Sequence, residues 1–233
     1  MKRIIAAAAF CTICLLAASP ASAQFSISAG YDRVQYTKGS SRYGGAFDGF
    51  SMELSYTYRL HGIGLNMGAG YSFATRNNGN RMFGTYRAKA TSQEQSVYIP
   101  LRVLKEIRLS SDGTNAFSIF GGAYGSYAIK GNDTYEFTLD GGGKADATYN
   151  YLDDSMSHEN PLPDGIFAAV SAEHGGKRLT RLDYGLQFGA GFRICDVLYL
   201  GAAYNIGLAE RFDSRSYGNL RRKYVSLRAA FLF

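Results

Sequence analysis

Between Gly49 and Phe73 apolar and polar or small positions alternate along the chain. Phe50, Met52, Leu54, Tyr56, Tyr58 and Leu60 share one parity; Ser51, Glu53, Ser55, Thr57 and Arg59 share the other. After His61-Gly62 the pattern restarts, with Ile63, Leu65, Met67, Ala69, Tyr71 and Phe73 against Gly64, Asn66, Gly68, Gly70 and Ser72. A period of two sends successive side chains to opposite faces, so each run predicts a β-strand. The two-residue break predicts an antiparallel hairpin. Both runs exceed the ~5–6 residues usual for a soluble strand and match the ~9–11 tilted residues that cross a bilayer within a barrel.

The same pattern predicts strands at 24–36, 92–107, 116–129, 181–194, 197–209 and 221–233. With the central hairpin that makes eight. Their connections alternate long (37–48, 74–91, 130–180 and 210–220) and short (61–62, 108–115 and 195–196). Within 130–180, runs at Tyr135–Leu139 and Ala145–Tyr151 flank Gly141-Gly142-Gly143 and predict a hairpin that extends the fifth strand. Pro100 falls inside the fourth strand, where it lacks a ladder donor, so a bulge or missing bond is expected there.

A soluble barrel would turn its apolar face inward and cover its exterior with Lys and Glu. Here the polar face carries mostly Gly, Ser and Asn with isolated charges: Asp32, Glu53, Arg59, Arg102, Asp183, Arg193 and Arg228. Small residues fit the cramped interior of about eight strands, and charges of both signs can pair there, where an unpaired ion is costly. The apolar face is nearly uncharged, as a lipid-facing band requires. The expected fold is an all-β, eight-stranded antiparallel up-and-down transmembrane β-barrel, with long outer loops and short periplasmic turns.

The N-terminus adds the route. Lys2 and Arg3 precede an apolar run from Ile4 to Ala18 and the triplet Ala21-Ser22-Ala23, the layout of a secretory signal peptide over residues 1–23. The barrel domain is then 24–233, with 131–179 as a long outer insertion, in the cell outer membrane. A lipid-modified Cys14 is the alternative, disfavoured by the bulky Ile13 before it. Cleavage leaves Cys195 alone, so no disulfide framework or thiolate cluster is expected. The chain carries 25 Lys+Arg against 19 Asp+Glu, too small an excess to imply nucleic acid.

Several stretches resemble the PorT-like family of outer-membrane β-barrel proteins: Tyr98-Ile99-Pro100-Leu101, Gly121-Gly122-Ala123-Tyr124-Gly125, Asp183-Tyr184-Gly185-Leu186 with Gly189-Ala190-Gly191, Tyr204 with Gly207-Leu208, and the closing Phe231-Leu232-Phe233. The resemblance covers nearly all of the chain after the leader. It implies an eight-stranded barrel in a Gram-negative outer membrane and, through the terminal aromatic, delivery by the barrel-assembly machinery. It carries over no catalytic residues, and the 130–180 insertion departs from it.

Candidate chemistry is sparse. Gly141-Gly142-Gly143-Lys144 lacks the first Gly and the Ser/Thr of a phosphate loop, so a turn is expected. Ser157-His158-Glu159 suggests a lipid-A-modifying acyl hydrolase, but neighbours in an extended segment point apart whereas a nucleophile and base must converge. Asp153, Asp154, Glu159 and Asp164 could offer oxygen ligands to a hard cation, without EF-hand spacing. No metal or cofactor is expected. Residues 130–180 hold nine acids and four bases, while loop two and the 211–223 region are basic. Arg76, Arg81, Arg87, Lys89, Arg211, Arg215, Arg221 and Arg222 are therefore candidate contacts for lipopolysaccharide phosphates, the alternative being an acidic loop three folded over them. The expected function is a non-enzymatic integral barrel, structural or presenting its outer loops to an unknown protein or ligand. A narrow pore for small solutes is the second reading.

Overall fold

The computed structural model describes residues 23–233 except 39–40, 61–62, 85, 112, 140–142, 159–164, 175–177 and 214–219; the leader expected over 1–23 lies outside them except for Ala23, which opens the first strand. Long strands come first: β1 (Ala23–Lys38), β2 (Ser41–Leu60), β3 (Ile63–Phe83), β4 (Tyr86–Arg108) and β5 (Ala116–Thr138). Then come β6 (Lys144–Asn150), β7 (Ser155–His158), helix α1 (Ile166–His174), β8 (Arg178–Leu179), β9 (Leu182–Ile194), β10 (Leu198–Gly207), β11 (Phe212–Asp213) and β12 (Leu220–Leu232). β1, β2, β3, β4, β5, β9, β10 and β12 pair in that order, and β1–β12 pairing from Ser26↔Leu232 to Lys38↔Leu220 closes the ring.

Alternation decides the faces as the sequence predicts. Leu54 is 61% exposed and Phe188 45% on the outside, while Ser51, Glu53, Ser55 and Gln187 are buried within. The β9–β10 connection turns through Cys195 and Asp196, both left-handed at φ of 53° and 57°, and the Val197 N–H closes it on the Ile194 carbonyl at 3.2 Å. Opposite Pro100, the β3–β4 ladder skips Gly68 and Ala69 and resumes in register at Gly70↔Tyr98. The nearby register shift between β4 and β5 falls instead at Gln95/Ser96.

Two connections expected to be loops are strand. β1 continues to Lys38 and β2 starts at Ser41; β3 reaches Phe83 and β4 starts at Tyr86. The reason is an inversion of polarity. On β4, Val97, Ile99 and Leu101 face out and Ser92, Glu94 and Arg102 face in; further up, Lys89 and Arg87 face out and Ala90 and Ala88 in. Above the lipid the outer face meets water and the inner face meets protein, so the apolar residues change sides. β4 and β5 run to 23 residues each, whereas β10 has 10. The barrel wall is tall on one side and low on the other.

The insertion is folded as well. β6 extends the sheet from β5 (Asn132↔Asn150 to Thr138↔Lys144), β7 adds to β6, and α1 packs on their inner face. Phe83, Tyr135, Phe137, Ile166 and Val170 form this outer core, separate from the lumen. Val170→Ala should loosen it by about 1.5–2 kcal/mol, at ~0.8 kcal/mol per buried methylene. Limited proteolysis should then cut near α1 while the ring keeps its folded, unheated gel mobility.

Candidate functional site

Three charged layers cross the lumen. In the middle one, alternation aims Glu53 of β2, Arg102 of β4 and Arg228 of β12 at one another. Arg102 donates from Nη1 to Glu53 Oε1 at 2.5 Å and from Nη2 to Oε2 at 2.7 Å. Arg228 Nη1 donates to the same Oε2, and the Tyr98 hydroxyl joins it at 3.1 Å. Arg102 also donates to Asn66 Oδ1 and Gln187 Oε1, and Gln187 Nε2 to Asn205 Oδ1 at 2.6 Å. The web therefore ties β2, β3, β4, β9, β10 and β12 together through the barrel axis.

The upper layer centres on Glu94 of β4. Its carboxylate accepts from Arg211 Nη2 at 2.6 Å and from the Tyr36 hydroxyl, with Arg222 Nη1 at 3.7 Å. Arg211 Nη1 donates to the Thr180 carbonyl at 2.6 Å, so the segments after β8 and before β11 are drawn over the lumen. Asp183 accepts from Tyr124, and Asp32 from the Ser226 hydroxyl. The lower layer pairs Arg59 with both oxygens of Glu106 at 3.1 and 3.0 Å, and Arg193 with Glu106 and Asp196. Between the lower and middle layers is a cavity of about 100 Å³ lined by Arg59, Glu106, Arg193 and Arg228 among others.

All seven charges expected to face inward, Asp32, Glu53, Arg59, Arg102, Asp183, Arg193 and Arg228, lie in or beside these layers. Glu94 and Glu106 join them, and the sequence signal for both is their parity against Val97 and Leu101. The outer basic set divides. Arg81, Arg87, Lys89 and Arg221 are exposed. Arg76 lies 4.6 Å over the Phe47 ring and donates to the Gly45 carbonyl, fastening β3 to the β1–β2 hairpin. Arg211 and Arg222 are 0% and 3% exposed, which corrects their assignment to the outer surface: both are consumed by Glu94. Arg215 lies outside the described residues.

The other candidates separate. Ser157 and His158 pair with Thr148 and Ala147 and alternate along β7; Glu159 and Asp164 lie outside the described residues. Asp153 accepts from Arg181 at 2.6 Å and Asp154 from the Tyr149 hydroxyl. The acidic insertion sits on the upper wall through the apolar core beneath α1, not by charge alone. Nearby, burial and the Asp133 carboxylate push the Tyr151 hydroxyl well above the ordinary tyrosine range.

A closed ring with an uncharged apolar belt around its exterior and a charged, filled interior has one physical setting. The molecule is an eight-stranded transmembrane β-barrel of the outer-membrane type. No family model and no curated protein matches the chain. Among solved structures it is similar to Ail, the attachment invasion locus protein of Yersinia pestis, in complex with the heparin analogue sucrose octasulfate. That likeness has 11% identity over 91% of this chain and 99% of that one, at a TM-score of 0.44. It is also similar to Neisserial surface protein A (13% identity, 90% and 98% covered, TM-score 0.42). A third likeness is to the outer membrane protein OprG from Pseudomonas aeruginosa (9% identity, 91% and 97% covered, TM-score 0.41).

Proposed function

We propose that this chain is a closed, non-enzymatic barrel of the outer membrane that holds a folded extension outside the cell for a partner. One observation carries the reading: the Glu53–Arg102–Arg228 web spans the lumen, and Glu94, Arg211 and Arg222 seal it again above. Eight strands leave an interior that side chains fill, and the cavity of about 100 Å³ lies against the middle web, whose side chains line it. The extension, by contrast, is built to last, with its own apolar core. Export by the 1–23 leader, insertion by the barrel-assembly machinery and PorT-like membership belong to the same reading. Arg81, Arg87, Lys89 and Arg221 are its candidate contacts to lipopolysaccharide phosphates.

Planar-bilayer recording tests it. Purified protein should leave a flat baseline at any holding potential the bilayer tolerates. Stepwise openings of constant size would establish the pore instead.

A further inference from the structure

The outward face of the extension repeats the same chemistry from strand to strand. Thr91 of β4 lies opposite Thr134 of β5, Thr134 opposite Thr148 of β6, and Thr148 opposite Ser157 of β7. This is one continuous rung of hydroxyls, with Thr134 and Thr148 oxygens 3.4 Å apart. One rung toward the membrane, Gln93, Asn132 and Asn150 form a row of amides. One rung away, Lys89, Glu136 and Asp146 form a row of charges. Strands ~4.8 Å apart and alternate residues ~6.7 Å apart make this a flat lattice of donors and acceptors. A groove of about 190 Å³ runs across it, lined by Thr134, Glu136, Asp146, Thr148, Ser157 and His158.

Three features point to what lies on it. The face continues the lipid-facing band: Val97 is followed outward on β4 by Gln95, Gln93, Thr91 and Lys89 on the same side. It therefore stands directly over the headgroups, in the layer that the sugars of an outer leaflet occupy. Among the described residues the lattice holds no Trp, Tyr or Phe anchor of the kind protein interfaces concentrate on. Glu136 and Asp146 sit directly opposite each other, an arrangement that destabilises a sheet by itself. Paired carboxylates and amides instead suit the vicinal hydroxyls of a sugar, each of which both donates and accepts.

We propose that this face binds the saccharide portion of lipopolysaccharide in the protein's own membrane. The inference rests on the outward orientation in the proposed function, and it does not depend on whether the lumen conducts. The detergent-solubilised protein is titrated calorimetrically with three probes: core oligosaccharide freed of lipid by mild acid, lipid A, and neutral dextran. The oligosaccharide should bind, and dextran should not. The triple variant Thr91→Val, Thr134→Val, Thr148→Val keeps β-branched shape and removes three hydroxyls, so affinity should fall at least about tenfold. Unheated gel mobility checks that it folds. If it does not fold, Thr148→Val and Glu136→Gln made singly should each weaken binding by about threefold. Binding of lipid A alone, equal binding of dextran, an unaffected variant, or no binding at all would each overturn the proposal. Conducting bilayers together with intact oligosaccharide binding would sink the closed-barrel reading and leave this surface standing.

Discussion

Replacing Glu53 with leucine should destabilise the barrel by about 3–5 kcal/mol, the usual consequence of breaking a buried ion pair by removing one partner. Two guanidiniums converge on that carboxylate, and the side chains of Glu53, Arg102 and Arg228 are 3%, 11% and 11% exposed. Without it Arg102 and Arg228 face each other across a narrow, poorly solvated lumen. Equilibrium unfolding in urea, read by tryptophan-free far-ultraviolet circular dichroism, measures the loss. The control separates charge from volume. Glu53→Leu combined with Arg102→Met and Arg228→Met should recover most of the stability, because a buried ion cluster exchanged for well-packed apolar residues is often neutral. If the single variant unfolds like the unaltered protein, the middle layer is not the tie across the lumen.

Leu54→Arg, one residue further along β2, should destabilise folding into lipid by about 2–4 kcal/mol, the effect of a cation on a barrel's lipid face near the midplane. Leu54 is 61% exposed and lies between Ile27 of β1 and Ala69 of β3, well inside the apolar band. The same substitution above the band, at Gln93, should change stability by less than about 0.5 kcal/mol, as surface substitutions do. Titrating both variants in urea with phospholipid vesicles gives the difference. Similar losses at both positions would mean that the band does not end near Val97.

Much of the ring could be read from the sequence because one rule, alternation, governs both faces at once. Leu54, Ile99 and Phe188 needed nothing else. Arg222 illustrates a rule available but overruled: Val225 and Leu227 put it on the inner parity, while its neighbours Arg221 and Lys223 lend it the look of a solvated basic run. Arg211 had no such signal. It lies after β10, where no strand periodicity holds, and its burial against Glu94 is set by contacts 117 positions apart. The upper halves of β3 and β4 were hidden by the polarity inversion. A strand whose apolar side becomes Ala88 and Ala90 and whose polar side becomes Arg87 and Lys89 reads as a basic loop, although its parity is unbroken. Helix α1 gave little warning because Ile166-Phe167-Ala168-Ala169-Val170 is apolar nearly all round, and short apolar runs do not reveal their period.

The separate core under α1 also dictates an order of events. Phe83, Phe137 and Val170 come from three distant parts of the chain and meet only beyond the lipid-facing band. On the orientation proposed above, all three parts cross the bilayer before this core can pack. We therefore expect assembly to run wall first and roof last, with the hairpins seated before the helix finds its berth.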